Sequence, residues 1–178
     1  MNRFLTRVLR SALLDADVYE EVEADKSATV QAFAVVTLAS LAAGIGSLDN
    51  NPVSSIGYVA MAALAGWFSW AWLTCMIGTR ILPGKNTVSD LGELLRTLGF
   101  ASSPGILLVL ALVPPIAGLV FLICGIWMLI AMVIAVRQAL DYEGPGGTAR
   151  AVAVCAIGFP IYVAVLAATL LFFGPWPI

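Results

Sequence analysis

The chain has 178 residues, 61% of them hydrophobic and 11% charged, with a mean hydropathy of +0.97 and a formal charge of −2. A soluble domain runs near ~25% charged and ~45–50% apolar, so this composition excludes a water-soluble enzyme and a disordered linker. The balance of nine Lys/Arg against eleven Asp/Glu leaves no basic field for nucleic acid.

Residues 2–14 carry a helical pattern: Phe4, Leu5, Val8, Leu9, Ala12 and Leu13 share one face, and Arg3, Arg7 and Arg10 cluster opposite. The pattern predicts an amphipathic helix on the cytoplasmic membrane surface, its arginines near lipid phosphates. Packing of its apolar side on the protein is the alternative. Only a short apolar stretch follows the arginines, so this is not a secretory signal. Residues 15–25 then bring six acids within eleven residues. They read as a solvated connector whose carboxylates pair with Arg80, Lys85, Arg96 or Arg150. A calcium loop would need a glycine at its turn and regular acid spacing, and has neither. Residues 1–27 therefore form a cytoplasmic segment, and 28–178 the membrane part.

A bilayer core of ~30 Å takes about 20 helical residues. The run 28–48 spans once and ends at Asn50-Asn51-Pro52; 56–79 spans once and ends at Arg80 and Pro83-Gly84. Residues 104–136 are apolar throughout and would make one helix of about 50 Å, too long for a single crossing. Pro114-Pro115 breaks it, because proline lacks the amide donor and disfavours helix in the residue before it. Spans at 94–113, kinked at Ser103-Pro104-Gly105, and at 116–136 result. The run 150–173 is the last. The expected fold is all-α: a polytopic transmembrane bundle of five spans with an N-terminal amphipathic interfacial helix.

With the N-terminus in the cytoplasm, every basic residue falls on or beside segments 1–27, 80–93 and 137–149, while the outer segments hold Asp49 and no base. The positive-inside rule then places the C-terminus outside. Asp90 and Glu93 lie at helical spacing from Arg96, a local charge ladder with Arg96 snorkelling to the interface. Candidate interaction residues on the cytoplasmic face are Arg3, Arg7, Arg10, Asp17, Tyr19, Glu21, Asp25, Asp90, Glu93, Arg96 and Arg137.

Small residues recur within the spans at Ala39 and Ala43, at Ala62 and Gly66, and singly at Gly118, Gly125 and Gly158, which suits close helix packing. Trp67, Trp70, Trp72 and Trp127 lie inside spans rather than in the interfacial belts. Trp67 and Trp70 share a face with Thr74, and pack on small residues of another helix or frame a ligand pocket. Chemistry has little to work with. Histidine is absent, and Cys75, Cys124 and Cys155 sit singly in apolar runs. No charge occupies the middle of a span, and no nucleophile has a base beside it. Neither an enzyme nor a pump is expected, and no metal or cofactor. The C-terminal 174–178 carries no lipidation box.

Three stretches together resemble the bacterial members of the YIP family, named for eukaryotic Ypt/Rab-GTPase-interacting proteins. They are Leu13-Leu14-Asp15-x-Asp17-x-Tyr19-x-Glu21-Val22-Glu23-x-Asp25, the run from Leu94 through Arg96, Gly99 and Phe100 to Pro104-Gly105, and Ile126-Trp127-Met128 with Ala135-Val136-Arg137-Gln138-Ala139-Leu140. The resemblance implies a five-span bundle with a cytoplasmic N-terminus. Eukaryotic members have a long N-terminal region and act in vesicle traffic and membrane shaping. With about 27 residues there, the Rab-binding part is not expected to carry over.

The reading is a non-catalytic membrane protein of the cell membrane, in a bacterium the inner membrane. It would act as a membrane organiser or accessory subunit through membrane lipids and a protein partner or second copy, without nucleic acid. A small transporter or channel is the alternative.

Overall fold

Asn2 opens the first helix: its side-chain oxygen accepts from the Phe4 N–H at 3.3 Å and caps α1 (Arg3–Ala12). The computed structural model describes residues 2–46 and 53–173, the side chains of 53–61 and of several positions after 164 excepted. Asp49, the expected turn at Asn50-Asn51-Pro52, and 174–178 lie outside the described residues.

α1 closes through Leu14, which adopts a φ of 63°, and the Asp15 N–H returns to the Arg10 carbonyl at 3.1 Å. This left-handed position normally belongs to glycine and costs a leucine about 1 kcal/mol. Packing of Leu14 against the core offsets that cost. The turn sends α2 (Ala16–Ala24) back beside α1, capped by Asp15, which accepts from the Asp17 N–H at 3.1 Å. The stretch expected as a solvated connector is thus a helix. Its Val18, Tyr19 and Val22 are fully buried at spacings of one and three, one face of a helical turn. Each such burial stabilises by about 1.5–3 kcal/mol, more than the exposed acids on the other face forfeit.

α3 (Ala28–Gly46) follows once Asp25 has accepted from the Ser27 amide and hydroxyl at 3.0 and 2.6 Å. α4 (Val53–Met76) runs into a wider π turn at Ile77–Ile81, where the Leu82 N–H reaches the Ile77 carbonyl. Tyr142 from the other end of the chain donates its hydroxyl to the Gly78 and Leu82 carbonyls at 3.3 and 2.6 Å, satisfying groups that this turn frees.

A capping box starts α5 (Leu91–Ala101): Asp90 accepts from the Glu93 amide at 2.9 Å, and Glu93 from the Asp90 amide at 3.0 Å. At Ser103-Pro104-Gly105, where the sequence predicts a kink, the backbone changes to a ten-residue 3-10 helix, Ser103–Leu112. Such runs rarely exceed 3–4 residues. Here three residues per turn put Gly105, Leu108 and Ala111 in one buried line against α3. On α3, Ala39 faces Gly105 and Gly46 faces Leu108 and Ala111, while Ala32, seven residues before Ala39, faces Gly99 of α5. A Cβ on Gly99 would stand 2.7 Å from that of Ala32, and one on Gly46 would collide with the Leu108 carbonyl. Small residues thus set the approach of these two elements.

Val113 is extended, with φ −88° and ψ 101°, before Pro114, and a short 3-10 turn (Pro114–Ile116) leads into α6 (Ala117–Ala139). α6 ends on Asp141 at φ 49°, with the Tyr142 N–H back to the Arg137 carbonyl at 3.0 Å. α7 (Gly147–Phe173) contains Pro160 and packs on α4, where Gly158 meets Trp70 and Gly66 meets the Tyr162 ring.

Among the described residues, four stretches are long and apolar enough to cross a membrane: Ala28–Gly46, Leu91–Leu112, Pro114–Ala139 and Gly147–Ala164. The protein is an all-helical, multi-pass membrane protein. The outward faces of α6 and α7 carry exposed Leu119, Leu122, Ile126, Ile157 and Ile161, as a lipid-facing surface requires.

Candidate interaction face

The α1–α2 hairpin packs on α5, α6 and the 3-10 segment, and brings most of the candidate residues together. Arg7 is its centre. Only 1% of its side chain is exposed, yet every branch of the guanidinium has a partner: Nε donates to Glu21 at 2.9 Å, one terminal nitrogen to Asp25 at 2.8 Å, the other to Gln31 of α3 at 3.1 Å. Burial opposes its charge, but the hydrogen bonds and charges of Asp25 and Glu21 outweigh that and raise its pKa. Arg10 donates to Asp15 at 2.7 Å and to the second Glu21 oxygen at 2.9 Å. Arg3 is mostly exposed and stands 3.6 and 3.8 Å from Glu21 and Asp25.

These contacts revise the expected partners. Three of the six acids of 15–25, Asp15, Glu21 and Asp25, pair with the arginines of α1. Among the described residues, no ion pair joins them to Arg80, Lys85, Arg96 or Arg150. The arginine face of α1 turns to protein, with Arg7 and Ser11 buried, and leaves Leu5, Leu9 and Leu13 outside at 51, 52 and 77% exposure. Phe4 and Val8 pack on the core. A surface arginine row over lipid phosphates is therefore not what the helix presents.

Arg96 likewise does not snorkel or ladder with Asp90 and Glu93, which cap α5 instead. It is 6% exposed and donates to the carbonyls of Val22 (3.1 Å) and Glu23 (3.1 and 2.6 Å). These carbonyls lie in the last turn of α2, where a cation also meets the negative end of the helix dipole. Tyr19 is buried and donates its hydroxyl to the Ser11 carbonyl at 3.3 Å; burial pushes its pKa up. Asp17 is exposed on α2. Arg137 stands apart, donating to the Tyr142 carbonyl at 3.3 Å across the turn after α6.

The titrations follow from these neighbours. Asp25 is held down to about 2 by the Ser27 hydroxyl and then by Arg7. Glu21 is lowered by its hydrogen bond to Arg7, with Arg7 and Arg10 charges adding. Glu23, on the inner side of α2, is pushed up to about 7 by burial, with Glu93 and Asp141 adding like charge.

Four contacts that sequence reasoning missed complete the hairpin's seat. Ser11 and Ser103 hydroxyls lie 2.7 Å apart, Trp127 donates its indole N–H to the Ala12 carbonyl at 2.8 Å, Gln138 donates to Glu20 at 2.8 Å, and Gln31 accepts from Arg7. Trp127 lies ten residues before Arg137, about 15 Å of helix rise. The C-terminal end of α1 thus reaches well up α6 rather than stopping at its foot. Among the described residues, no group of His, Cys, Asp or Glu is arranged to hold a metal, and the three cysteines are free thiols.

The Yip1 domain model matches residues 13–173, from the turn after α1 to the end of α7. The chain belongs to the Yip1 family. No curated protein and no solved structure matches it. Yip1 is a domain associated with membrane trafficking and not known for enzymatic activity. In this Yip1 protein the matched region begins at Leu13, so α1 precedes it while α2, which holds α1 down, lies within it.

Proposed function

We propose that this Yip1 protein is a non-catalytic five-span organiser or accessory subunit of the cell membrane, working through lipid and protein contacts on its cytoplasmic face. The five-span reading counts α4, 24 residues long, with the four apolar stretches above. The orientation, N-terminus in and C-terminus out, rests on the one-sided placement of all nine basic residues. The carrying observation is the hairpin: Arg7 and Arg10 are consumed by Glu21, Asp25 and Asp15, and the leucine row Leu5, Leu9, Leu13 is left facing outward along the bundle. That row enters the cytoplasmic leaflet as an apolar wedge, and the ion-paired face fixes its angle.

The test places a spin label at residue 9 (Leu9→Cys, native cysteines replaced by alanine) in nanodiscs. Accessibility to oxygen above that to a water-soluble nickel chelate is the expected result. The reverse order, with α1 still protected from proteolysis, overturns the wedge. Flux of an ion or metabolite above empty-liposome background would instead favour a small transporter or channel.

A further inference from the structure

Five long elements surround a cavity of about 380 Å³ at mid-height in the bundle, lined by residues of α3, α4, α5 and its 3-10 extension, α6 and α7. Its size falls in the range of small-molecule sites, about 300–1,000 Å³. Trp67, Trp70, Phe159 and Tyr162 give it ring surfaces, and Met128 and Met132 give it sulfur. Its Ser40 and Ser102 hydroxyls are already committed to the Val36 and Leu98 carbonyls. The indole N–H groups of Trp67 and Trp70 are not: both are buried, and neither has an acceptor. A buried donor without a partner costs about 1–3 kcal/mol, and two occur three residues apart on one helix at one cavity.

The lining contains no Lys, Arg, Asp or Glu, so a phosphate or zwitterionic headgroup has no counter-charge there. The acceptor that fits is neutral, borne on an apolar and flat body. Gly125, Leu129 and Phe159 line the cavity and are also exposed, which opens it to the lipid-facing surface. We propose that the cavity binds a membrane-dissolved quinone, its ring against Trp70 and Tyr162 and its carbonyl oxygens accepting from the Trp67 and Trp70 indoles.

The experiment is a thermal-shift titration of the full chain in mild detergent with decyl-benzoquinone, decylbenzene and a short-chain diacylglycerol. A saturable rise in melting temperature with the quinone alone is expected. Two variants locate it. In Gly125→Leu the new side chain starts in open space, with no atom within 4 Å of its Cβ, and fills the mouth of the cavity. Trp67→Phe with Trp70→Phe keeps ring surface and removes both donors. Each should weaken quinone binding about tenfold or more, two hydrogen bonds being worth on the order of that in the Trp pair. Gly125→Leu should keep unliganded melting near that of the parent, and the quinone shift of the Trp pair is read against its own unliganded melting. Equal shifts with decylbenzene, preference for the diacylglycerol, or unchanged quinone affinity in Gly125→Leu overturns the proposal.

Discussion

Replacing Arg7 by alanine removes a side chain whose hydrogen bonds tie α1 to Glu21 of α2, Asp25 after it and Gln31 of α3. Three charge-assisted hydrogen bonds of 2.8–3.1 Å are lost, and a nearly fully buried cation disappears with them. Bonds to charged groups contribute about 1.5–3 kcal/mol each, but Glu21 and Asp25 are partly exposed and regain water once Arg7 is gone. The net loss should therefore be about 2–3 kcal/mol rather than the sum. It falls on the docking of α1, because the apolar seat of α2 at Val18, Tyr19 and Val22 is untouched. Hydrogen exchange over residues 3–12 reads that docking directly. At 1.4 kcal/mol per tenfold, exchange there should speed up roughly 30- to 150-fold, with α3 and α6 unchanged. Arg3→Ala, whose mostly exposed side chain sits beyond 3.5 Å from its partners, should change exchange less than about threefold. If the two variants behave alike, or Arg7→Ala leaves exchange as it was, the clamp is not what holds α1.

Arg96→Ala strips the last turn of α2 of its donor and should destabilise the fold by about 2 kcal/mol, seen as a clearly lower melting temperature. Lys85→Ala should stay within ~0.5 kcal/mol, and Arg96→Lys should recover only part, since an ammonium cannot fork between two carbonyls. Glu23, raised to about 7, favours the folded state while protonated. Its contribution is full below about pH 4.5 and is lost as pH rises through about 7, on the order of 1 kcal/mol for this half-buried group. Glu23→Gln should flatten the stability profile across that window and leave the acid limb intact, where Glu21 and Asp25, both lowered, lose their contribution as pH falls. Trp127→Phe leaves the Ala12 carbonyl without its donor and should release the end of α1 by about 1 kcal/mol, read as faster exchange at the turn 13–15.

The helical class and four of the apolar spans were legible because both are written in hydropathy, and the break before Pro114 because two adjacent prolines admit little else. The hairpin was only half legible. Asp15 as a cap and Val18, Tyr19 and Val22 at helical spacing do announce α2, but six acids in eleven residues outweigh that signal when charge is read as solvation. The partners of Arg7 could not be read at all, and for Arg96 the sequence pointed to the right stretch, 15–25, but to its carboxylates rather than to the Val22 and Glu23 carbonyls. Both depend on α2 folding back, which is decided by a leucine in a left-handed conformation that local preference disfavours. The long 3-10 segment was beyond reach for a similar reason: Pro104 marks a disturbance, but the contacts of Gly105 with Ala39 and of Leu108 with Gly46 lie between distant parts of the chain. Trp127, read as a residue of the span interior, is a donor to α1 because the hairpin climbs to its level.

The topology is the point on which the rest depends, since an organiser working on the cytoplasmic face needs the hairpin and all nine basic residues on one side of five crossings. Paired reporter fusions test it, one after Asp141 and one after Ile178, each with an enzyme active only inside the cell and one active only outside. Five spans predict a cytoplasmic signal after Asp141 and an external one after Ile178. The same side at both positions would contradict the account.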